Sequence, residues 1–176
     1  MQPDISADQS FDKSQPATAW WCLTGLLSPE QIIETTVSLG YPGIELAPPE
    51  YWDAIRDAGL DLVSVRGHND ITNGLNDPSQ HDRIERELLD RLRLAQHYEI
   101  GALICFSGER KGLDDATGIA NTIAGLQRVA KAAEDAGVVL ALELLNSKID
   151  HPDYQRDHTR LGIEVLTAVE STTRKP

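Results

Sequence analysis

The chain has 176 residues, enough for one domain with a real core, and its composition is that of an ordinary globular protein. Sixteen basic against 28 acidic residues leave a net charge of −12, which argues against nucleic acid and anionic membrane as partners. No transmembrane run or signal peptide is seen at the amino terminus, so a cytoplasmic location is expected.

Residues 1–16 are polar and read as a flexible leader, with a single domain over 17–176. The first strand is expected over Ala19–Leu23, with Trp20 and Trp21 in it; at least one of the two should pack in the core while the other covers a pocket. Ser28-Pro29-Glu30-Gln31 then offers an N-cap serine, a proline at the first helical position and a capping-box glutamine. A second strand is expected at Gly43–Leu46 and a third at Leu60–Val65, the latter running into Arg66-Gly67-His68-Asn69-Asp70. Ser79 with Asp82 is a weaker capping pair. Ile84, Leu88, Leu92 and Ala95 then recur at helical spacing. After a fourth strand at Ala102–Phe106 and the polar turn Ser107-Gly108-Glu109-Arg110, a second stripe comprises Ile119, Ile123, Leu126, Val129, Ala130 and Ala133.

Glycines 40, 59, 101 and 137 each close a helix-like stretch just before an apolar run. That rhythm marks an alternating α/β chain with a parallel sheet. The fifth strand, Val138–Leu144, reads as buried on both faces. It carries Glu143 near its carboxyl end, where parallel α/β folds bind ligands. Asn146, Lys148, Asp150, His151 and Asp153 follow, then a last helix at about Thr159–Val169. Serial βα units fit a doubly wound sheet or part of a (β/α)₈ barrel, and no G-x-G-x-x-G or Walker loop favours nucleotide binding.

RGH at 66–68, GLNDP at 74–78, HDRIE at 81–85, LICFSG at 103–108 and ELLNSK-x-DHPDY at 143–154 resemble the hydroxypyruvate isomerase family, within the xylose-isomerase-like sugar isomerases and epimerases. The resemblance implies a (β/α)₈ TIM barrel binding a divalent metal, Mg²⁺ or Mn²⁺, at its carboxyl-end rim. It casts Glu143 as metal ligand and catalytic acid/base and His68 as a pocket histidine. Ser107, Asn146 and Lys148 fall at motif positions near the site, and the substrate would be a small hydroxy-keto acid or sugar. Asn69-Asp70 departs from the family's usual small residue and threonine. The family's remaining ligands and second glutamate lie in later strands, so the chain is expected to be an incomplete barrel of about five βα units, with little or no activity of its own. Aldose–ketose isomerisation moves a proton between adjacent carbons through an enediolate. It needs a base, an acid and a cation for the oxyanion.

Other readings stand beside this one. An epimerase or polyol dehydratase would use the same barrel, a non-catalytic fragment would associate with a second copy through its sheet edge, and a DNA-repair endonuclease is disfavoured by charge. Arg66 fits either a substrate carboxylate or an ion-pair partner. His81, His97 and His158 read as structural, and Asp150, His151 and Asp153 as a solvated loop. Cys22 and Cys105 read as buried, reduced thiols.

Overall fold

In the computed structural model, which describes residues 16–173, five parallel strands form one sheet in chain order. They are β1 Thr18–Ala19, β2 Gly43–Glu45, β3 Asp61–Arg66, β4 Ala102–Cys105 and β5 Val139–Leu142. Helices α1 Trp20–Leu23 and α2 Pro29–Ser38 follow β1, and α3 Trp52–Asp57, α4 His81–Tyr98, α5 Asp115–Ala136 and α6 Thr159–Thr173 follow the other four strands in turn. A doubly wound sheet reverses its strand order at a switch point. Here each strand pairs only with its sequence neighbours, as in the wall of a (β/α) barrel. The leader expected over residues 1–16 lies, apart from Pro16, outside the described residues. No helix among the described residues is long and apolar enough to cross a membrane.

The local signals mostly act as expected. The Ser28 side chain accepts from the Gln31 N–H and the Gln31 side chain accepts from the Ser28 N–H, closing the capping box of α2. Gly40, Gly59 and Gly137 take the left-handed conformation, with φ of 71°, 77° and 69°. Gly101 does not. At the end of α4 it is Glu99 that turns left-handed, with φ 57°, and its N–H caps the Ala95 carbonyl. The Glu99 carboxylate is held by Arg56 at 2.7 Å. The Ser79–Asp82 pair is likewise replaced: Asp77 accepts from the Ser79 N–H at 2.9 Å and opens the 3₁₀ turn Pro78–Gln80 that leads into α4.

Two strand expectations are corrected. β1 stops at Ala19, because Trp20–Leu23 forms a helical turn that buries Trp20 against Tyr51, with ring centroids 4.9 Å apart. A short apolar run fits strand or helix equally, and packing of the indole decides. The same turn carries Cys22 to the surface, so only Cys105 is buried. β5 is not covered on both faces: Val139 is 62% exposed, because β5 has one strand neighbour among the described residues.

The core lies between the sheet and α4 and α5. Ile84, Leu88, Leu92 and Ala95 of α4 are buried with Leu126, Val129 and Ala133 of α5 against Ile44, Leu62, Val65 and Leu103. Each full-size side chain buried this way contributes about 1.5–3 kcal/mol, so these two stripes hold the sheet in place.

Candidate active site

Glu143 directly follows β5, and its N–H still donates to the Cys105 carbonyl at 2.9 Å, so the ladder fixes its backbone. Its side chain is half-buried on a cavity of about 390 Å³ at the carboxyl ends of the strands. Leu46, after β2, lines the same cavity as Leu144 and Leu145, after β5. Strands three places apart in a flat sheet would lie about 14 Å from one another. The sheet is therefore curled, and its carboxyl ends face inward around the cavity.

Burial pushes the Glu143 carboxyl above its ordinary range, and the negative charge of Glu45 raises it further. Arg66 and His151 pull it back down. Glu45 ends β2, where β3 carries one extra residue: Ile44 pairs with Leu62, but Glu45 pairs with Ser64. Such a bulge re-aims the side chains beside it. The Ser64 hydroxyl lies 3.5 Å from the Glu45 carboxylate. Leu46 follows with φ 59°, a strained conformation for a leucine, fixed by its N–H donating to the Ser64 carbonyl at 2.8 Å.

The structure brings Glu143, Arg66, Trp21 and Asn146 together on this one cavity. Arg66 closes β3 and has no ion-pair partner among the described residues; Trp21 lines the cavity and is 62% exposed. The Asn146 carboxamide oxygen accepts from the Lys148 N–H at 2.9 Å, which shapes the loop, while Lys148 itself is exposed and outside the cavity.

His68 and Ser107 lie behind the wall rather than on it. The buried His68 Nε2 accepts from the Phe106 N–H at 2.9 Å, and its ring meets the Phe106 ring edge-on at 5.4 Å. Phe106 is the residue that lines the cavity. Burial lowers the His68 pKa to about 4, so the ring is neutral with its proton on Nδ1, which has no partner among the described residues. Ser107 is fully buried, and its N–H donates to the Tyr154 hydroxyl at 3.0 Å; that hydroxyl donates to the Glu143 carbonyl at 3.2 Å. Tyr154 thereby ties the end of β4 to Glu143.

The loops behind this wall are joined backbone to backbone. Leu75 and Asn76 donate to the carbonyls of Phe106 and Ser107 at 3.1 and 2.7 Å, and Gln155 donates to Gly108 at 2.9 Å. A Cβ on Gly74 would stand 2.6 Å from the Phe106 carbonyl oxygen, so only glycine fits there.

Sequence reasoning passed over Glu45, Leu46, Phe106 and Tyr154. Glu45 carried the signal that singled out Glu143, a carboxylate closing an apolar strand. Asp150 and His151, read as solvated loop, do line the Glu143 cavity. Asp153 faces away and accepts from the Lys111 N–H at 2.8 Å. His81 is structural, its Nε2 2.9 Å from the Leu75 carbonyl.

A divalent cation needs several hard ligands around one point. Among the described residues no group of three or more His, Cys, Asp or Glu is gathered to hold a metal. Glu143 offers a carboxylate, but the set described here does not make a metal centre.

A family model for the xylose isomerase-like TIM barrel matches residues 33–173. The chain belongs to that family. Among solved xylose isomerase-like folds, the AP endonuclease, family 2, of Brucella melitensis superposes with a TM-score of 0.70 at 19% identity, over 87% of this chain and 62% of that one. The IOLI protein with a binding zinc atom gives 0.71 at 14% identity, over 89% and 59%. D-Psicose 3-epimerase with D-tagatose from Clostridium cellulolyticum H10 gives 0.62 at 18% identity, over 82% and 55%. At these identities the likeness is one of fold, and the chain spans less than two thirds of each structure. No curated protein matches the chain.

Proposed function

We propose that the site performs proton-transfer chemistry on a small hydroxy-ketone, with Glu143 moving a proton between carbons. The observation that carries this reading is Glu143 itself: a half-buried carboxylate with a raised pKa, on a cavity at the carboxyl rim of a xylose isomerase-like barrel. A base that abstracts a carbon-bound proton works best when its pKa approaches the working pH. Glu143 would take the proton α to the carbonyl, leaving an enediolate, and the protonated carboxyl would return it to the adjacent carbon. Arg66 supplies a fixed positive charge to the same cavity, and His151, which also lines it, would exchange the oxygen proton.

Interconversion of hydroxypyruvate and tartronate semialdehyde is the specific reaction we put forward. Return of the proton to the opposite face of the same carbon would instead give an epimerase, a second reading favoured by the fold likeness to the psicose epimerase. A divalent cation, Mg²⁺ or Mn²⁺, would add Lewis-acid stabilisation of the oxyanion. Among the described residues Glu143 is the carboxylate that would face it, with no group of three or more ligands gathered there, and no step here depends on it. The net charge of −12 supports a small molecule over nucleic acid as the ligand.

The test is solvent exchange. Hydroxypyruvate, D-fructose and D-psicose are incubated in deuterated water with the chain, and deuterium at carbon is read by NMR, which reports proton abstraction even where net turnover is small. Incorporation that falls at least about 100-fold in Glu143→Gln supports the reading. Absence of incorporation with every substrate overturns it.

A further inference from the structure

We propose that Arg66 and Arg91 form an anion subsite that holds the carboxylate or phosphate end of the substrate on which Glu143 acts. The inference rests on the proton-transfer reading and adds the substrate's charge and the residues that recognise it.

A second cavity, of about 320 Å³, adjoins the first. Trp21, Leu46 and Arg66 line both, so the two chambers share one wall. Glu143 lies in the first chamber and Arg91, from α4, in the second, with Arg66 on the wall between them. Among the described residues, no acidic side chain lines the second chamber. On a chain with a net charge of −12, a chamber with two arginines and no carboxylate is the reverse of the average surface.

Neither cation is held by an ion pair. Arg56, Arg83, Arg93, Arg110, Arg128 and Arg160 each pair with a carboxylate, whereas Arg66 and Arg91, like Arg86 and Arg156, have no ion pair among the described residues. The carboxylates nearest to Arg91 along α4 are already engaged. Glu87 accepts from Arg83 and from the Asn69 N–H, each at 2.9 Å, and Asp90 pairs with Arg93.

Arg91 is nevertheless held in place. Its guanidinium carbon lies 5.4 Å from the centre of the Trp52 ring, and the Trp52 indole N–H donates to the Ala47 carbonyl at 2.9 Å. A stacked guanidinium keeps its N–H edges free, and such forks match carboxylate and phosphate oxygens in paired hydrogen bonds. The geometry thus offers a carbon chain an aromatic wall, an anion two arginines, and the reacting carbon a carboxylate base one chamber away.

All three tryptophans of the chain line the second chamber, so binding is read by intrinsic fluorescence and confirmed by calorimetry. The probes are hydroxypyruvate, dihydroxyacetone phosphate and neutral dihydroxyacetone. One of the two anions is expected to bind at least ten-fold more tightly than dihydroxyacetone; hydroxypyruvate ahead assigns a carboxylate, dihydroxyacetone phosphate ahead a phosphate. Arg91→Met, which keeps an apolar stem on Trp52, and Arg66→Met should each weaken that anion at least ten-fold and leave dihydroxyacetone unchanged. Arg91→Lys should recover only part of the loss. Circular dichroism checks that each variant is folded. Equal affinity for anions and dihydroxyacetone, or wild-type anion binding in both methionine variants, overturns the subsite. Glu143→Gln should bind the anion at least as tightly as the wild type does. Arginine-dependent anion binding without deuterium exchange would therefore retire the Glu143 chemistry and leave the subsite standing.

Discussion

The Tyr154 hydroxyl donates to the Glu143 carbonyl at 3.2 Å while accepting the Ser107 N–H at 3.0 Å. Burial pushes this phenol up to about 12, so it remains a donor throughout the working pH range. Tyr154→Phe would leave a buried N–H and a carbonyl without their partner. The expected cost is about 1–3 kcal/mol, read as a lower urea midpoint with an unchanged m-value. Because the bond fixes the backbone of Glu143, deuterium exchange should also slow, through kcat more than KM.

The raised Glu143 carboxyl sets the acid limb of any activity above the ordinary carboxylate range. Glu45→Gln removes one of its two causes and should move that limb toward lower pH. Stability carries the same signature. A carboxyl raised in the fold favours folding below its unfolded pKa and loses that advantage as pH rises through the folded value. Glu143→Gln should therefore match the wild type in acid and become the more stable of the two toward neutral pH, as measured by urea unfolding across pH.

His68 runs the other way. Its folded pKa of about 4 lies below the unfolded value of about 6.5, so its contribution is intact above 6.5 and is lost as pH falls through about 4. NMR titration should show the His68 imidazole still neutral at pH 5. A His68 signal that titrates near 6.5 in the native protein would contradict the buried Phe106 contact. His68→Gln should flatten the loss of stability between pH 6.5 and 4.

The cysteines differ in access. Cys22 is exposed, whereas Cys105 is buried, with its thiol pushed up to about 12. A thiol reagent should modify one cysteine in the native protein and two in denaturant. Rapid labelling of both under native conditions would mean that β4 opens readily.

Much of this architecture is legible along the chain, because backbone rules act locally. The capping box at Ser28, the glycine stops at 40, 59 and 137 and the stripes of α4 and α5 all act over a few residues, and each holds. What was not legible depends on distant partners. Trp20 leaves the strand because Tyr51 offers a stacking surface, and Glu99 replaces Gly101 as the left-handed residue with Arg56 holding its side chain. Glu45 gains its meaning only from the curl that brings the end of β2 toward the end of β5. Glu143 was visible because burying a carboxylate at a strand end is costly anywhere; Arg91 was hidden because its role comes from Trp52, on another helix.

The close approach of Gly74 to the loop after β4 also says which parts of the rim can drift in sequence. A side chain at 74 would strike the 106–108 backbone, and Gly108, at φ 98°, has no more room, so neither segment tolerates insertion or enlargement. Trp21 and Leu144, which line the Glu143 cavity, are instead exposed. Substrate preference in this barrel would therefore diverge at those exposed positions, while the glycine-locked segments stay nearly unchanged.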